Sequence, residues 1–313
     1  MSDVLSDIFR TIRLKASVYF RTDFSAPWGI LVHEHAWTAR FHLIVSGTCH
    51  VRAAGQSLWL REGDFVLIPR GADHILADHA ERTPLVLETV LEKAGYDGRG
   101  LLVIRDSDAP SPCRSNATQM ICGHFGFGEG ADHPLLRALP GLIHISAAKR
   151  RGNAFLDESL RLLADRVFSD GSGHEAAITR LSEIVFIEAI RSAVDDNPQI
   201  GRIMEAIGDA HIGKALELIH TQPERGWTVE GLAAEVGMSR TRFASRFSEL
   251  LGDGPIGYLT EWRLQRALDL LSEPHANVQD VAGQVGYMSA AAFTRAFTQK
   301  FGTAPGQYRR KYA

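Results

Sequence analysis

Three features of this 313-residue chain predict an α+β, multidomain architecture with a β-rich N-terminal half and an all-helical C-terminal third. Up to about residue 147, short strand-like runs alternate with turn signals every 8 to 12 residues or so, the spacing of an antiparallel sandwich or barrel. From residue 148 the apolar period changes to 3.6, the helical repeat. Within the last hundred residues, two passages about 50 residues apart match position by position, which indicates an internal duplication. The length suits two or three domains, divided here as 1–147, a helical connector over 148–211, and 212–313.

Taken in order, the chain opens with a short helix over about 4–12. The run Arg40-Phe-His-Leu-Ile-Val-Ser-Gly-Thr-Cys-His-Val-Arg alternates around an apolar centre and breaks at Gly47. Residues 56–60 and 65–68 are two further strands, separated by Arg61-Glu-Gly-Asp and closed by Pro69-Arg-Gly. In the connector, Phe155, Leu156, Ser159, Leu160, Leu162, Leu163 and Val167 form one helical stripe. After Ser169-Asp-Gly-Ser-Gly, a second helix carries Ile178, Leu181, Ile184, Val185 and Ile187. Two readings stand for this pair: packing within the chain, or homodimerisation with a second copy.

Composition narrows the class. Hydrophobic residues make up 45% and charged residues 23%, and the net charge is −3, so the chain is neither a basic nucleic-acid coat nor a disordered acidic tail. The charge is uneven, however: residues 212–313 carry 12 basic and 10 acidic side chains, whereas residues 1–211 carry 22 and 27. Three cysteines, Cys49, Cys113 and Cys122, are too few and odd in number for a disulfide framework. The first residues lack the apolar core of a secretory signal, and no run approaches the roughly 20 apolar residues of a membrane span. These points predict a cytoplasmic protein with no membrane partner.

The duplicated passages pair Leu232 with Val281, Ala233 with Ala282, Val236 with Val285 and Gly237 with Gly286. Allowing one extra residue in the second copy, Ser239 pairs with Ser289, Phe243 with Phe293 and Phe247 with Phe297. Each copy is a helix, a corner at glycine, and a second helix capped by serine, because glycine tolerates a left-handed corner and serine supplies an oxygen to the orphan amides of the next turn. This is a helix-turn-helix, whose second helix enters the major groove of DNA. Phenylalanines at i and i+4 anchor that helix. The first copy then exposes Arg240, Thr241, Arg242, Ser245 and Arg246, and the second exposes Ala290, Ala291, Thr294 and Arg295. A helix over about 256–272, roughly 25 Å long at 1.5 Å per residue, spaces the copies on one face of a duplex.

With Trp227-Thr-Val-Glu-Gly-Leu-Ala, Gly252-Asp-Gly-Pro-Ile-Gly-Tyr-Leu-Thr-Glu-Trp-Arg-Leu-Gln-Arg-Ala and the ending Phe301-Gly-Thr-Ala-Pro-Gly-Gln-Tyr-Arg-Arg, residues 212–313 resemble the DNA-binding domain of AraC-type (AraC/XylS) transcription regulators. The resemblance implies operator binding to double-stranded DNA, with Thr241, Ala244 and Ser245 at base-facing positions of the first copy and Ala290, Ala291, Thr294 and Arg295 in the second. Arg240, Arg242, Arg246, Arg263 and Arg295 are candidates for backbone or base contacts. Relatives often carry longer polar side chains where this chain has alanine. Alanine touches a thymine methyl but cannot hydrogen-bond a base edge, so the second copy is expected to contribute mainly phosphate contacts. An activator would also meet RNA polymerase.

In the β-rich half, Gly63-Asp-Phe-Val-Leu-Ile-Pro69-Arg-Gly71-Ala-Asp-His74-Ile-Leu-Ala-Asp78 follows the second cupin motif, with Asp78 in place of its final asparagine. His33-Glu-His35, then Arg40 and Gly47, fits the first, with Arg40 in place of its glutamate. Together with Phe24-Ser-Ala-Pro-Trp and Cys122-Gly-His-Phe-Gly-Phe followed by Pro134-Leu-Leu-Arg-Ala-Leu-Pro, this half resembles the cupin sensor of one group of AraC-type regulators. The expected fold is a jelly-roll-like β-barrel. The resemblance makes His33, His35 and His74 candidate ligands for zinc or a similar divalent ion, with His42 as substitute. Arg40 weakens that expectation by adding a cation and removing a carboxylate. The alternative is a metal-free pocket around Arg40, His42 and His74 that takes a small-molecule effector, an anion suiting Arg40. Arg40 pairing with Glu34 or Asp78 is a further reading. Cys122 is expected as a small core hydrophobe, and Cys113, beside Arg114, as an exposed thiol with redox capacity.

The function expected is a one-component transcription regulator that senses a small molecule, metal or reactive species, and not an enzyme. The alternative from another class is a metal-dependent cupin enzyme with a DNA-binding tail. A DNA-binding architectural protein with a vestigial barrel is a third reading.

Overall fold

The computed structural model describes residues 3–97, 100–105, 117–167, 172–273 and 275–312. The chain divides into two compact units. A β unit is drawn from residues within Lys15–Gly126 and Leu139–Asp196, and a helical unit from residues up to Leu14, Phe127–Ala138 and Asn197 onward.

The β unit is a pair of sheets. The first contains β1 (Lys15–Phe24), β3 (Thr38–Ser46), β6 (Phe65–Ile68), β9 (Leu101–Ile104), β10 (Thr118–Gly126) and β11 (Ile143–Ile145), in the order β11-β6-β3-β10-β1-β9. The second contains β2 (Gly29–Val32), β4 (Thr48–Ala53), β5 (Gln56–Arg61), β7 (His74–Ala77) and β8 (Leu85–Val86), in the order β5-β4-β7-β2-β8. The expected barrel is thus a two-sheet sandwich of the jelly-roll kind, not a closed cylinder. Its core, including Phe24, Trp28, Ile30, Ile44, Val51, Leu60, Val66, Ile68 and Leu76, comes from both sheets.

Strand β3 is buried along most of its length because both of its faces are covered. Phe41 packs on Phe65 and Phe125 at 5.9 and 5.0 Å between ring centres on one face, and Phe125 meets Phe186 of α6 (His174–Ser192) at 4.7 Å. The period-two alternation therefore turns Arg40, His42 and Ile44 to the opposite face. Residue pairs across the strands are His42 with Cys122 and Arg40 with His124.

The helical pair expected in the connector belongs to this unit. On α5 (Ala154–Val167), Leu156, Ser159, Leu160, Leu163 and Val167 are buried, and the carbonyl of Val167 accepts a 3.1 Å hydrogen bond from Arg21 of β1. Phe155 and Leu162, expected in the same stripe, are 60% and 42% exposed. Both lie outside the roughly 100° arc that faces a neighbour.

The helical unit holds α1 (Val4–Thr11), α3 (Pro134–Ala138), α7 (Pro198–Gly208), α8 (Ile212–Thr221), α9 (Val229–Glu235), α10 (Arg240–Leu251), α11 (Pro255–Leu271), α12 (Val278–Gln284), α13 (Ala290–Phe301) and α14 (Pro305–Tyr312). In the β unit, α2 (Leu87–Lys93) and α4 (Ala147–Arg151) complete the set. The compact units cut across the linear division read from the sequence. Residues 197–211 join the helical unit through α7, as does α1 from the N-terminus. So does the segment between β10 and β11, residues 127–138, which we call the strap.

Candidate nucleic-acid interface and sandwich cavity

The two repeats have the expected geometry. Gly237 and Gly286 stand at the corners with φ of +69° and +82°. Serine caps both second helices: Ser239 accepts from the Arg242 amide at 3.4 Å, and Ser289 from the Ala292 amide at 3.2 Å. Phe243, Phe247, Phe293 and Phe297 are fully buried. On α10, Arg240, Thr241, Arg242 and Ser245 are exposed, while Ala244 and Arg246 are half-buried. On α13, Ala291 and Arg295 are exposed, and Ala290 and Thr294 are half-buried.

Three of the candidate arginines have protein partners. Arg240 pairs with Glu230 at 2.5 Å. Arg246 is held by Glu205 of α7 at 2.5 Å and by Glu249 at 3.2 Å, with Asp209 at 3.6 Å. Arg263 corrects the sequence reading: its guanidinium donates to the carbonyls of Pro223 at 2.7 Å and Arg225 at 2.9 Å. It also lies where a side chain on Gly286 would collide with it. Its charge fastens α11 to the loop after α8, and the glycine at the second corner leaves room for the guanidinium beside bare backbone.

The strap is bound into this unit by side chains that sequence reasoning did not single out. Lys300 of α13 bridges Asp132 at 2.7 Å and Glu261 of α11 at 3.0 Å, and Arg137 reaches Asp132 and Glu261 at 3.0 and 2.7 Å. Gln265 of α11 accepts from the Asp132 amide at 3.1 Å and donates to the Gly130 carbonyl at 3.0 Å.

At its centre His133 is buried against Tyr258. The Leu135 amide donates to His133 Nδ1, so the ring proton sits on Nε2 and is donated to Tyr258 Oη at 3.1 Å. The tyrosine hydroxyl then donates to His220 Nε2 at 2.8 Å, and His220 stacks on Trp262 with ring centres 3.6 Å apart. Burial holds both histidines neutral, His133 being pushed down to about 3 and His220 well below its ordinary value.

In the β unit, the candidate metal ligands are not brought together. His33 and His35 do not share a strand face, because β2 ends at Val32 and the two residues lie exposed in the following loop. His33 pairs with Asp73 at 3.6 Å, and His35 Nδ1 lies 3.0 Å from both the Ala36 carbonyl and Thr38 Oγ1. His74 is buried, 1% exposed. Among the described residues, no group of three or more His, Cys, Asp or Glu side chains is arranged to hold a metal ion. The residues present therefore do not fit the metal that the cupin motif implies, and an arginine stands where its carboxylate would be.

What His74 does instead is close a buried chain across the sandwich. Its Nδ1 donates to the Ala72 carbonyl at 3.0 Å, which makes its Nε2 an acceptor. His42 Nε2 donates to it at 3.0 Å, and His42 Nδ1 accepts from the Cys122 thiol at 2.9 Å. All three members are neutral, as the hydrogen-bond order requires. Burial first, then Arg40, lowers His74 to about 4; burial first, then His74 and Arg40, holds His42 well below its ordinary value; and burial pushes the Cys122 thiol up. Cys49, also buried, is pushed up to about 12. Cys113 and Arg114 lie outside the described residues. Asp78 is engaged by Arg82 at 2.7 and 2.9 Å.

Beside this chain a cavity of about 300 Å³ is lined by Phe20, His35, Thr38, Arg40, Leu87 and His124. Arg40 lines it. His42 and His74 lie in the core behind, and His35 and His124 supply the imidazoles at the wall. Burial, then Arg40 and His35, lowers the pKa of His124.

A two-sheet cupin sandwich joined to a duplicated helix-turn-helix defines a DNA-binding transcription regulator with a cupin domain. Comparison with known proteins agrees: a cupin family model matches residues 3–195 and a helix-turn-helix domain model matches residues 232–311. The chain belongs to the cupin-containing AraC-type transcription regulators. It is similar to the HTH-type transcriptional regulator AlkR of Acinetobacter baylyi, 31% identical over 99% of both chains. It is also similar to the RCS-specific HTH-type transcriptional activator RclR of Escherichia coli, 25% identical over 87% of this chain and 84% of that one. Among solved structures, the DNA-binding domain of AdpA in complex with a target DNA is 33% identical, covers 33% of this chain and 93% of that one, and has a TM-score of 0.31. Among the described residues no helix is long and apolar enough to cross a membrane.

Proposed function

We propose that this regulator binds a small organic anion at Arg40 and that the strap relays occupancy to the DNA-reading helices. The carrying observation is the course of the chain. Strand β10 brings His124 to the cavity wall, ends at Gly126, and continues directly into the strap, whose His133, Asp132 and Gly130 are bound to α11 and α13. Helix α11 joins the two repeats, so a change in strap docking alters how both reading helices are held. Such a relay needs the ligand to bind one docking state more tightly than the other.

The cavity lining combines a guanidinium and two imidazoles with the apolar Phe20 and Leu87, which suits a carboxylate with an apolar body. A homodimer is a further part of this reading. Phe155 and Leu162 lie seven residues apart on an exposed face of α5, flanked by Glu158 and Arg161.

Ligand selection is tested by thermal shift of the full chain against a panel of aliphatic and aromatic carboxylates. A member that stabilises the wild type and fails to stabilise Arg40→Ala supports the reading. Equal stabilisation of both proteins refutes the Arg40 site.

A further inference from the structure

We infer that Met288 and Ala291 form an apolar reading surface in the second repeat, one that recognises the C5-methyl groups of thymine in the major groove. The two repeats differ by one residue at the corner. In the first, Met238 follows the corner glycine, and its amide donates back to the Ala233 carbonyl at 2.9 Å. In the second, that structural place is taken by Tyr287, whose amide donates to the equivalent Ala282 carbonyl at 2.8 Å and whose ring packs edge-on against Phe293 at 5.5 Å. Met288 is therefore the inserted residue. With the interior position already filled by Tyr287, its side chain is turned out completely, to 102% exposure, immediately before the Ser289 cap of α13.

The helix behind it is correspondingly apolar. Where α10 has Arg240, Thr241 and Arg242 after its cap, α13 has Ala290, Ala291 and Ala292. The start of a reading helix is the part that meets base edges. A thioether and small methyls there offer no hydrogen bond, which excludes direct donor or acceptor readout, but they complement the one apolar group that the major groove displays. Met288 is unbranched and adapts its shape to such a surface. The patch is continuous with the DNA-reading face, so its occupant is the duplex. Arg295, exposed one turn further on, remains available to phosphate. The second repeat thus contributes base selection as well as backbone contact.

The test uses the full chain and duplexes selected by it from a randomised library. Each thymine of the selected consensus is replaced singly by deoxyuridine, which removes only the methyl group, and affinity is measured for wild type, Met288→Ala and Met288→Gln. At one or more thymines, the replacement is expected to weaken wild type about two- to fivefold, the scale of one buried methyl. At those same positions it leaves both variants unaffected. Because Met288 is fully exposed, neither variant disturbs the core. Uracil tolerated by wild type at every position overturns the inference, and so does uracil sensitivity that is unchanged in the variants. Variants that keep the wild-type affinity and consensus also overturn it, since they would assign Met288 to a protein partner or to solvent alone.

Discussion

The His42–His74 pair makes the stability of the β unit depend on pH in a way that one substitution should remove. Both rings are neutral in the folded sandwich, and His74 is held at about 4 against an ordinary 6.5. Folded pKa values below the unfolded one mean that full stability is present above about pH 6.5 and is lost as pH falls, because the unfolded chain takes up protons that the folded chain refuses. For His74 alone, linkage between 6.5 and 4 gives a loss of about 1.4 kcal/mol at pH 5.5 relative to pH 7.5. His42, depressed in the same sense, adds to it. His74→Gln should destabilise the unit at pH 7.5 by about 1–3 kcal/mol, the cost of leaving the buried His42 donor poorly matched. Over the same interval the variant should lose at least about 1 kcal/mol less than wild type. Urea unfolding at each pH, followed by hydrogen-exchange mass spectrometry of peptides from β3 and β7, isolates this unit from the helical one. An identical pH dependence in wild type and variant would refute the neutral, directional chain derived above.

The arginines of the helical unit separate into two kinds by the same reasoning. Arg263→Ala should lower stability by about 1.5–3 kcal/mol, because two charge-assisted bonds to backbone carbonyls are lost; thermal unfolding checks it, and an unchanged midpoint would return Arg263 to the surface contacts. Arg242→Ala, by contrast, should leave stability within about 0.5 kcal/mol while weakening binding to selected duplexes and lowering the salt slope by about one.

How much of this was legible in the sequence depends on the range of the interaction. The helix-turn-helix corners are local: a glycine at positive φ, a serine cap and phenylalanines four apart determine one another over fewer than a dozen residues, and the duplication states the rule twice. Strand alternation likewise placed His42 on the same face as Arg40. Motif spacing served less well. His33 and His35 match the cupin pattern, yet they fall beyond the end of β2, where the period-two rule no longer applies. The strap was not legible at all as part of the helical unit. Pro134-Leu-Leu-Arg-Ala-Leu has a pattern that buries equally well against a sheet or a helix. Its destination is set by partners 120 to 170 residues away, among them Tyr258, Gln265 and Lys300. The exposure of Met288 was hidden for a similar reason: the sequence shows one extra residue but not which of Tyr287 and Met288 keeps the interior place.

In the proposed relay the strap connects cavity occupancy to DNA affinity. The direct measurement is the affinity of the full chain for a selected duplex, with and without a carboxylate that stabilises wild type but not Arg40→Ala. It is made on wild type and on an Asp132→Asn/His133→Leu variant, whose strap loses its ion pair with Lys300 and its hydrogen bond to Tyr258. The prediction is that ligand changes the affinity of wild type, whereas the variant still binds both ligand and DNA but no longer links them. A ligand-induced change of the same size in both proteins would contradict it.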